Sequence, residues 1–151
     1  MSLRVGSPVA GRVVALSAVP DPVFSQAMVG PGVAVEPARV KADVVSPVDG
    51  TVVTLHPHAF VVATADGAAV LVHLGIDTVK RKGEGFELHV VKGEQVLAGQ
   101  RIVTWDPAEV EAAGFAPICP VIALDASAEV LGDLAVNVDV TANDALFDWS
   151  R

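Results

Sequence analysis

Cysteine and long apolar runs are both scarce in this sequence. The single cysteine, Cys119, excludes a disulfide framework and a cysteine-based zinc cluster, and its neighbours Ile118 and Val121 favour a buried thiol. No apolar run reaches the roughly eighteen residues that a membrane span needs, and the first residues lack the apolar segment of an export signal. We therefore expect a protein of the reducing cytoplasm that has no transmembrane segment.

Basic residues and nucleotide-binding motifs are also in short supply. Lys and Arg number 10 against 18 Asp and Glu, so the formal net charge is -8. This charge argues against nucleic acid and anionic membranes as partners and is compatible with a basic protein partner. Gly83-Glu84-Gly85 has neither a following Lys-Ser pair nor a third glycine, and no serine stands in an elbow motif. We expect no bound cofactor.

Glycine and proline, in contrast, are abundant, at 13 and 10 residues, and 52% of the chain is hydrophobic. This composition suits many short strands joined by tight turns, and 151 residues suffice for one core. We predict an all-β fold in one domain, residues 1–151. Its core spans about 6–140, and the tail, 141–151, either covers a sheet edge or hangs free.

One turn pattern occurs twice, as SPVAGRVV at 7–14 and as SPVDGTVV at 46–53. In each copy proline fixes one backbone angle, glycine permits a tight bend and the paired valines enter a strand. Coincident turn chemistry is one explanation for the two copies. The other, which we favour, is a domain of two related halves whose equivalent strands pack together.

Outside the repeats, most local signals are those of strands. Residues 19–28 contain too much proline for a strand and predict a loop with at most one helical turn. One helix is predicted, in which Asp106 is the cap, Pro107 takes the first position and Gly114 ends it. Strands are predicted at 32–37, 59–64 and 100–105 and, in short pieces, between 118 and 140.

The run VLVHLGIDTV at 70–79 places His73 among apolar, β-branched residues. An imidazole in such a run is either paired with a partner or reactive. Gly75 allows the backbone to bend back toward the ring. If a backbone carbonyl engages one ring nitrogen, the other remains a nucleophile that can attack phosphorus or bind a metal at neutral pH. His56 and His58 lie upstream, and a hairpin closed near residues 66–67 would bring them to His73.

The chain contains the blocks VPDPVF at 19–24, SPVDGTV at 46–52, HAF at 58–60, VHLGIDTV at 72–79 and KGEGF at 82–86. Together these blocks resemble the glucose-type enzyme IIA domain of the bacterial sugar phosphotransferase system. The similarity runs in order from about residue 6 to 140, and the block around His73 is the most specific. The resemblance implies an antiparallel β-sandwich or barrel of two related halves, a duplicated hybrid motif with Greek-key-like connections and short helices.

The same resemblance implies the chemistry of a phosphocarrier. His73 would take a phosphoryl group on Nε2 from phospho-HPr, with Nδ1 held by the Gly75 carbonyl, and would pass it to a cysteine of the IIB domain for sugar uptake. His58 would be the companion histidine that contacts the phosphoryl group. No metal is required, although adventitious or regulatory zinc at His58 and His73 is compatible. The implied partner-binding residues are Asp21, Phe24, Leu71, Asp77 and Val79, of which the carboxylates would meet arginines of HPr.

Some positions depart from the family pattern. His56 stands where a threonine hydroxyl commonly orients the companion histidine, so His56 is a candidate orienter of His58. Thr54 and Leu71 stand where aromatic residues are frequent, which thins the apolar ring. No fused IIB or IIC domain and no amphipathic N-terminal extension are detected. We expect a separate, monomeric carrier for which regulatory targets are also conceivable.

Positive charge next to the site is a further departure. Lys80 and Arg81 follow the histidine block directly and could alter the choice of partner.

Two alternatives belong to other functional classes. His56, His58, His73 and Asp77 could ligate zinc in a metallohydrolase like the lysostaphin-type peptidases, but in that family the two motif elements occur in the reverse order and far apart. A biotinyl-like or lipoyl-like carrier is suggested by KGEQVLAGQ at 92–100, where no lysine with the required flanks occupies a hairpin tip. This stretch is better interpreted as a turn between strands.

Overall fold

The computed structural model describes residues 2–151, in which every strand pairing is antiparallel. The predicted all-β class is confirmed. The strands are β1 (Ser2–Gly6), β2 (Gly11–Ala15), β3 (Gly32–Pro37), β4 (Ala42–Val45), β5 (Gly50–His56), β6 (Ala59–Ala63), β7 (Ala69–His73), β8 (Glu87–Leu88), β9 (Gln95–Val96), β10 (Arg101–Trp105), β11 (Cys119–Ala123), β12 (Leu131–Gly132), β13 (Asp139–Val140) and β14 (Ala145–Ser150). The helices are α1 (Pro22–Ser25) and α2 (Pro107–Ala112), and 3₁₀ turns span Leu16–Ala18, Thr78–Arg81 and Ala128–Val130.

The strand order shows that the molecule is made of two related halves. One sheet has the order β13-β2-β3-β11-β7-β6-β5-β9, and two smaller sheets have the orders β1-β14-β12 and β4-β10-β8. Reading the large sheet from either end gives the same succession of equivalent strands: β13 corresponds to β9, β2 to β5, β3 to β6 and β11 to β7. The small sheets correspond in the same way. Two related halves, as the repeated turn pattern predicts, are therefore confirmed.

The two repeated turns have the same local structure. Both serines are buried, and each hydroxyl donates to the carbonyl two residues on, Ser7 to Val9 at 2.6 Å and Ser46 to Val48 at 2.7 Å. The turns also bond to each other's half, because Gly6 N–H donates to the Pro47 carbonyl at 2.9 Å and a matching bond from residue 45 reaches residue 8. The repeats thus join the two halves at the centre of the fold.

The glycine of each repeat is required by a close backbone approach. A Cβ on Gly11 would lie 2.1 Å from the carbonyl oxygen of Glu36, and one on Gly50 would lie 2.2 Å from that of Ala63. Each glycine therefore allows its strand to begin directly against the neighbouring strand, at equivalent places in the two halves.

Side chains on opposite faces of the large sheet belong to different apolar clusters. In β11, Val121 packs into the main core, which all three sheets share, whereas Ile122 belongs to a second cluster. In β7, Val72 likewise packs into the main core, whereas Leu71 packs against the second cluster. This is expected because successive side chains of a strand point to opposite faces of the sheet. The large sheet is thus covered by the main core on one face and carries a smaller apolar cluster on the other.

Most elements predicted from sequence are present. The strands at 32–37, 59–63 and 101–105 match the predictions, and α2 begins after Asp106, whose side chain accepts a hydrogen bond from Ala108 N at 3.0 Å. Residues 19–28 contain the single helical turn α1. Between 118 and 140 the strands are shorter than the alternation of valines suggests, and Val138 lies outside any strand at 46% exposure.

The C-terminal segment, whose role the sequence left open, is the central strand of a small sheet. β14 pairs with both β1 and β12. Leu146, Phe147 and Trp149 are buried in the main core. Within residues 2–151, no helix has the length and apolar character to cross a membrane.

The two buried serines should contribute equally to stability. Ser7→Ala and Ser46→Ala each leave a carbonyl without its donor inside the core, so we expect each to lower the free energy of unfolding by about 1–2 kcal/mol. Urea denaturation of the two variants measures the loss. Exposed Ser127, which makes no capping bond, provides the control Ser127→Ala with an effect near zero. Clearly unequal losses would contradict structural equivalence of the two turns.

Candidate functional site

The three clustered histidines lie at one end of the β5–β6–β7 meander. His56 is the last residue of β5, His58 lies in the turn to β6, and His73 is the last residue of β7. The strand register brings them together, because Ala59 pairs with both His56 and His73. In addition, Leu74 N–H donates to the His58 carbonyl at 2.7 Å. The expected approach of the histidine-bearing segments is thus present in the fold.

A backbone carbonyl fixes the His73 ring. Nδ1 of His73 lies 2.5 Å from the carbonyl oxygen of Gly75. A carbonyl only accepts hydrogen bonds, so Nδ1 carries the hydrogen and Nε2 keeps its lone pair in the neutral ring. Gly75 has a φ of 81°, and a Cβ there would lie 2.7 Å from Thr78 Cγ2 and 2.9 Å from the Ala116 carbonyl. The contact to His73 thus depends on glycine at this position.

Thr78 braces the loop that carries this carbonyl, a role that the sequence analysis did not assign. Its side chain is buried, and its hydroxyl donates to the Leu74 carbonyl at 2.7 Å. From the other side, Ile76 N–H donates to the Ala116 carbonyl at 2.9 Å. The sequence shows a hydroxyl residue a few positions after an apolar strand, but the spacing of residues does not predict which carbonyl accepts its hydrogen bond.

Four aromatic rings form a continuous row, which we call the ring row: His56, His58, His73 and Phe24. The centroids of His56 and His58 lie 5.7 Å apart with planes at 27°, a stacked pair. Those of His58 and His73 lie 5.3 Å apart with planes at 73°, an edge contact. Phe24 closes the row 5.2 Å from His73. Within residues 2–151 no hydrogen bond joins His56 to His58, so His56 contacts its neighbour by stacking alone.

Burial keeps the central imidazoles uncharged. Burial, together with smaller contributions from the nearby His73 and His56, lowers the pKa of His58 to about 4. The pKa of His73 is also lowered, chiefly by burial, while the Gly75 carbonyl and the carboxylates of Asp21 and Asp77 act in the opposite direction. At pH 7 both rings are therefore neutral, and His73 presents a free Nε2 lone pair.

Of the residues predicted to bind partners, Phe24 contacts the His73 ring, and Asp21 and Asp77 lie close enough to act on its charge. Asp21 caps α1 by accepting a hydrogen bond from Val23 N at 2.9 Å, and this helix turn positions Phe24, which is buried against His73. Leu71 is half-buried on the same sheet face as Phe24, in the second apolar cluster. Asp77 adopts a left-handed φ of 61° ahead of the 3₁₀ turn that exposes 58% of Val79.

Of the two basic residues beside the site, only Lys80 is presented to solvent. The side chain of Arg81 is 8% exposed, and its guanidinium pairs with Glu109 of α2 at 2.8 Å and donates to the Glu84 carbonyl at 3.1 Å. The charge of Arg81 is thus paired with a carboxylate, and an influence of Lys80 and Arg81 on the choice of partner stays a prediction. The Arg81 ion pair ties the 3₁₀ turn that carries Val79 to α2.

A metal centre is not favoured. In the described part of the chain, no group of three or more His, Cys, Asp or Glu side chains is arranged to hold a metal ion. The zinc hydrolase alternative needed His56, His58, His73 and Asp77 together, but His56 and His58 form a stacked pair and Asp77 lies beyond the bend at Gly75. Cys119 is buried, and its pKa is raised by that burial, so it is no ligand or nucleophile either.

Both a family model and individual relatives match the sequence of this chain. The model of the family "phosphoenolpyruvate-dependent sugar phosphotransferase system, EIIA 1" matches residues 3–128. The chain is 43% identical to a glucose-specific EIIA component of Oceanobacillus iheyensis over 80% of this chain and 73% of that protein. It is 38% identical to a glucose-specific EIIBCA component of Corynebacterium glutamicum, over 92% of this chain but only 21% of that protein. The chain thus spans about a fifth of this relative, which carries further domains.

A solved structure shares the fold over nearly its full length. The glucose permease IIA from Mycoplasma capricolum superposes with a TM-score of 0.88 at 32% sequence identity, covering 98% of this chain and 96% of that one. The paired strands, the ring row and the matches in sequence and structure agree. The chain therefore belongs to the EIIA 1 family of the phosphoenolpyruvate-dependent sugar phosphotransferase system, as a glucose-type EIIA domain.

Proposed function

We propose that this EIIA domain is a phosphocarrier that takes a phosphoryl group from phospho-HPr on Nε2 of His73 and passes it to a cysteine of a IIB domain. The observation that carries the proposal is the 2.5 Å contact between His73 Nδ1 and the Gly75 carbonyl. This contact places the hydrogen on Nδ1 and leaves Nε2 as the nucleophile. Because burial lowers the pKa of His73, the lone pair stays available at neutral pH.

The proposed transfer uses only the two histidines and the cysteine as nucleophiles and leaving groups, without any cofactor. The Nε2 lone pair attacks phosphorus, a new N–P bond forms, and the N–P bond to the donor histidine of HPr breaks. In the second step a cysteine thiolate attacks phosphorus from the opposite side, the S–P bond forms, and Nε2 recovers its lone pair. Nδ1 keeps its hydrogen throughout, so the Gly75 carbonyl holds the same ring orientation in both steps. Positioning and electrostatic stabilisation supply the catalysis that such transfers need.

In this proposal His58 stabilises the phosphoryl group on His73. Its ring centroid lies 5.3 Å from that of His73, close enough for a ring N–H to reach an oxygen of a phosphoryl group on Nε2. Neutral His58 can supply one N–H, and its protonated form can supply a full positive charge. In either form it stabilises the oxygens that carry charge during transfer to the next partner.

The rim around His73 suits basic protein partners. Asp21 and Asp77 lie near enough to act on the His73 charge, and the chain as a whole has a net charge of -8. An arginine on HPr or IIB would meet these carboxylates beside the reacting nitrogen, which favours fast, oriented encounter. Exposed Val79 and half-buried Leu71 offer apolar contact area to a partner, while buried Phe24 packs against His73 and helps to exclude water from the phosphohistidine.

A IIB partner is supported by the names of relatives. Several join EIIA to B and C components in one chain, including proteins specific for glucose, for β-glucosides and for glucosamine. We propose that this domain supplies such a IIB domain, in the cytoplasm and as a monomer, and that the transfer is coupled to sugar uptake.

Labelling with a phosphoryl group tests whether His73 is the acceptor. The protein incubated with labelled phosphoenolpyruvate, enzyme I and HPr should gain one acid-labile phosphoryl group, and His73→Ala should gain none because Nε2 is lost. His89→Ala is the matched control: His89 bonds to Thr104 at 2.6 Å outside the ring row and should not affect labelling. An unlabelled wild-type protein would refute the proposal.

Loss of the companion histidine should separate the two transfers. His58→Gln keeps His73 and the Gly75 contact, so we expect labelling by phospho-HPr to persist, while transfer to a IIB domain slows about 100-fold. Rapid-quench measurement of both steps gives the two rates. Equal slowing of both steps would contradict the division of roles between His58 and His73.

Phosphorylation should raise the pKa of His58. In the unmodified protein this pKa is about 4, so the ring is neutral at pH 7. A phosphoryl dianion on His73 favours the protonated ring, and an opposite charge at this distance raises a histidine pKa by about 1–3 pH units. NMR titration of the His58 ring before and after phosphorylation measures the change, with His73→Ala treated identically as control. A pKa that stays near 4 would show that the two groups do not interact.

A further inference from the structure

The 3₁₀ turn Thr78–Arg81 carries an exposed apolar side chain and, two residues on, a buried ion-pair partner. Val79 is 58% exposed, whereas the side chain of Arg81 is 8% exposed. The guanidinium of Arg81 lies 2.8 Å from Glu109 Oε1, and its Nε donates to the Glu84 carbonyl at 3.1 Å. One side chain thus connects the turn, the loop that follows it and α2.

The loop after the turn passes directly over this ion pair. Gly85 has a φ of 84°, and a Cβ there would lie 2.9 Å from Glu109 Oε1 and 3.0 Å from Arg81 Nη2. The backbone at Gly85 therefore lies against both charged groups. A charge pair that is partly removed from water is screened less by salt than an exposed pair, so it restrains the groups that it joins more strongly.

The short helix α2 is a firm anchor for this restraint. Val110 is buried in the main core. Glu111 pairs with Arg39 at 3.1 Å, and the same guanidinium pairs with Glu36 of β3 at 2.7 Å. The helix thus carries two carboxylates that are each paired with an arginine, but only the pair made by Glu109 reaches the 3₁₀ turn.

We propose that Arg81 is a positioning residue for partner binding, and that its ion pair with Glu109 holds Val79 in place for HPr and IIB to dock on. The inference rests on the phosphocarrier function proposed above and extends it to two residues that have no part in the chemical step. A restrained turn loses less conformational entropy when a partner binds. The ion pair should therefore favour docking and leave the transfer itself unchanged.

Kinetics of labelling separate docking from chemistry. Glu109→Ala removes the partner of Arg81, and Arg81→Met removes the tether together with its charge while keeping an apolar stem; we call these the tether variants. Loss of one partly buried charge pair should raise the KM for phospho-HPr about 2- to 10-fold in both, with kcat nearly unchanged. The matched control is Glu111→Ala, which breaks the other ion pair of α2 and should leave both constants at their wild-type values.

Hydrogen–deuterium exchange tests the tether without phosphoryl transfer. The amides of Lys80, Lys82 and Glu84 bond to carbonyls within the turn and loop. They should exchange about 2- to 10-fold faster in the tether variants than in the wild type, and at the wild-type rate in Glu111→Ala.

The outcomes distinguish this inference from the phosphocarrier function. A wild-type protein that takes no label would refute the phosphocarrier function and the docking role with it, and exchange would still report the tether. If the wild type is labelled, three results would overturn the positioning role alone: unchanged exchange in the tether variants, a wild-type KM in Arg81→Met, or an equal rise of KM in Glu111→Ala. A rise of KM in Glu109→Ala only would assign the effect to the unpaired charge of Arg81.

Discussion

The site depends on the contact between the His73 ring and the Gly75 carbonyl. This contact determines which nitrogen of the ring is free, and it exists only because the chain turns back immediately after β7. The turn is compatible with glycine alone at residue 75, since a side chain there would collide with Thr78 and with the Ala116 carbonyl. Thr78 in turn bonds to Leu74, so the loop is held at both ends. Backbone geometry thus fixes both the orientation and the tautomer of the His73 ring.

The duplicated architecture allows the position of His73 to be compared with the equivalent position in the other half. In one half Ala59 of β6 pairs with His73, and in the other half the equivalent pair is Gly32 of β3 with Ile122. Ile122 is fully buried in the second apolar cluster. The two halves therefore share a fold but differ at this position, which carries His73 at the end of a strand in one half and a buried apolar side chain in the other.

The electrostatics of the site follow from its position on the sheet face. His73 contacts Phe24 of the second apolar cluster, and burial favours the neutral forms of both His73 and His58. Carboxylates at the rim, Asp21 and Asp77, partly offset this effect at His73. In the proposed transfer, a phosphoryl group on His73 would bring negative charge that favours protonation of His58. The environment that keeps both rings neutral would then allow His58 to change its charge after phosphorylation.

The strand-rich class, the repeated turns and the helix after Asp106 could be predicted from the residues alone, because they depend on local chemistry such as turn residues and capping side chains. The same local reasoning singled out His73 as a histidine in an apolar run. Which groups meet across distant segments is visible only in the folded chain. The stacking of His56 on His58, the pairing of Arg81 with Glu109 and the bracing of the Gly75 loop by residue 116 join partners set by strand register and loop path. The position of the C-terminal strand could not be predicted from the sequence either, since its place between β1 and β12 depends on hydrogen bonds to strands that are distant in the chain.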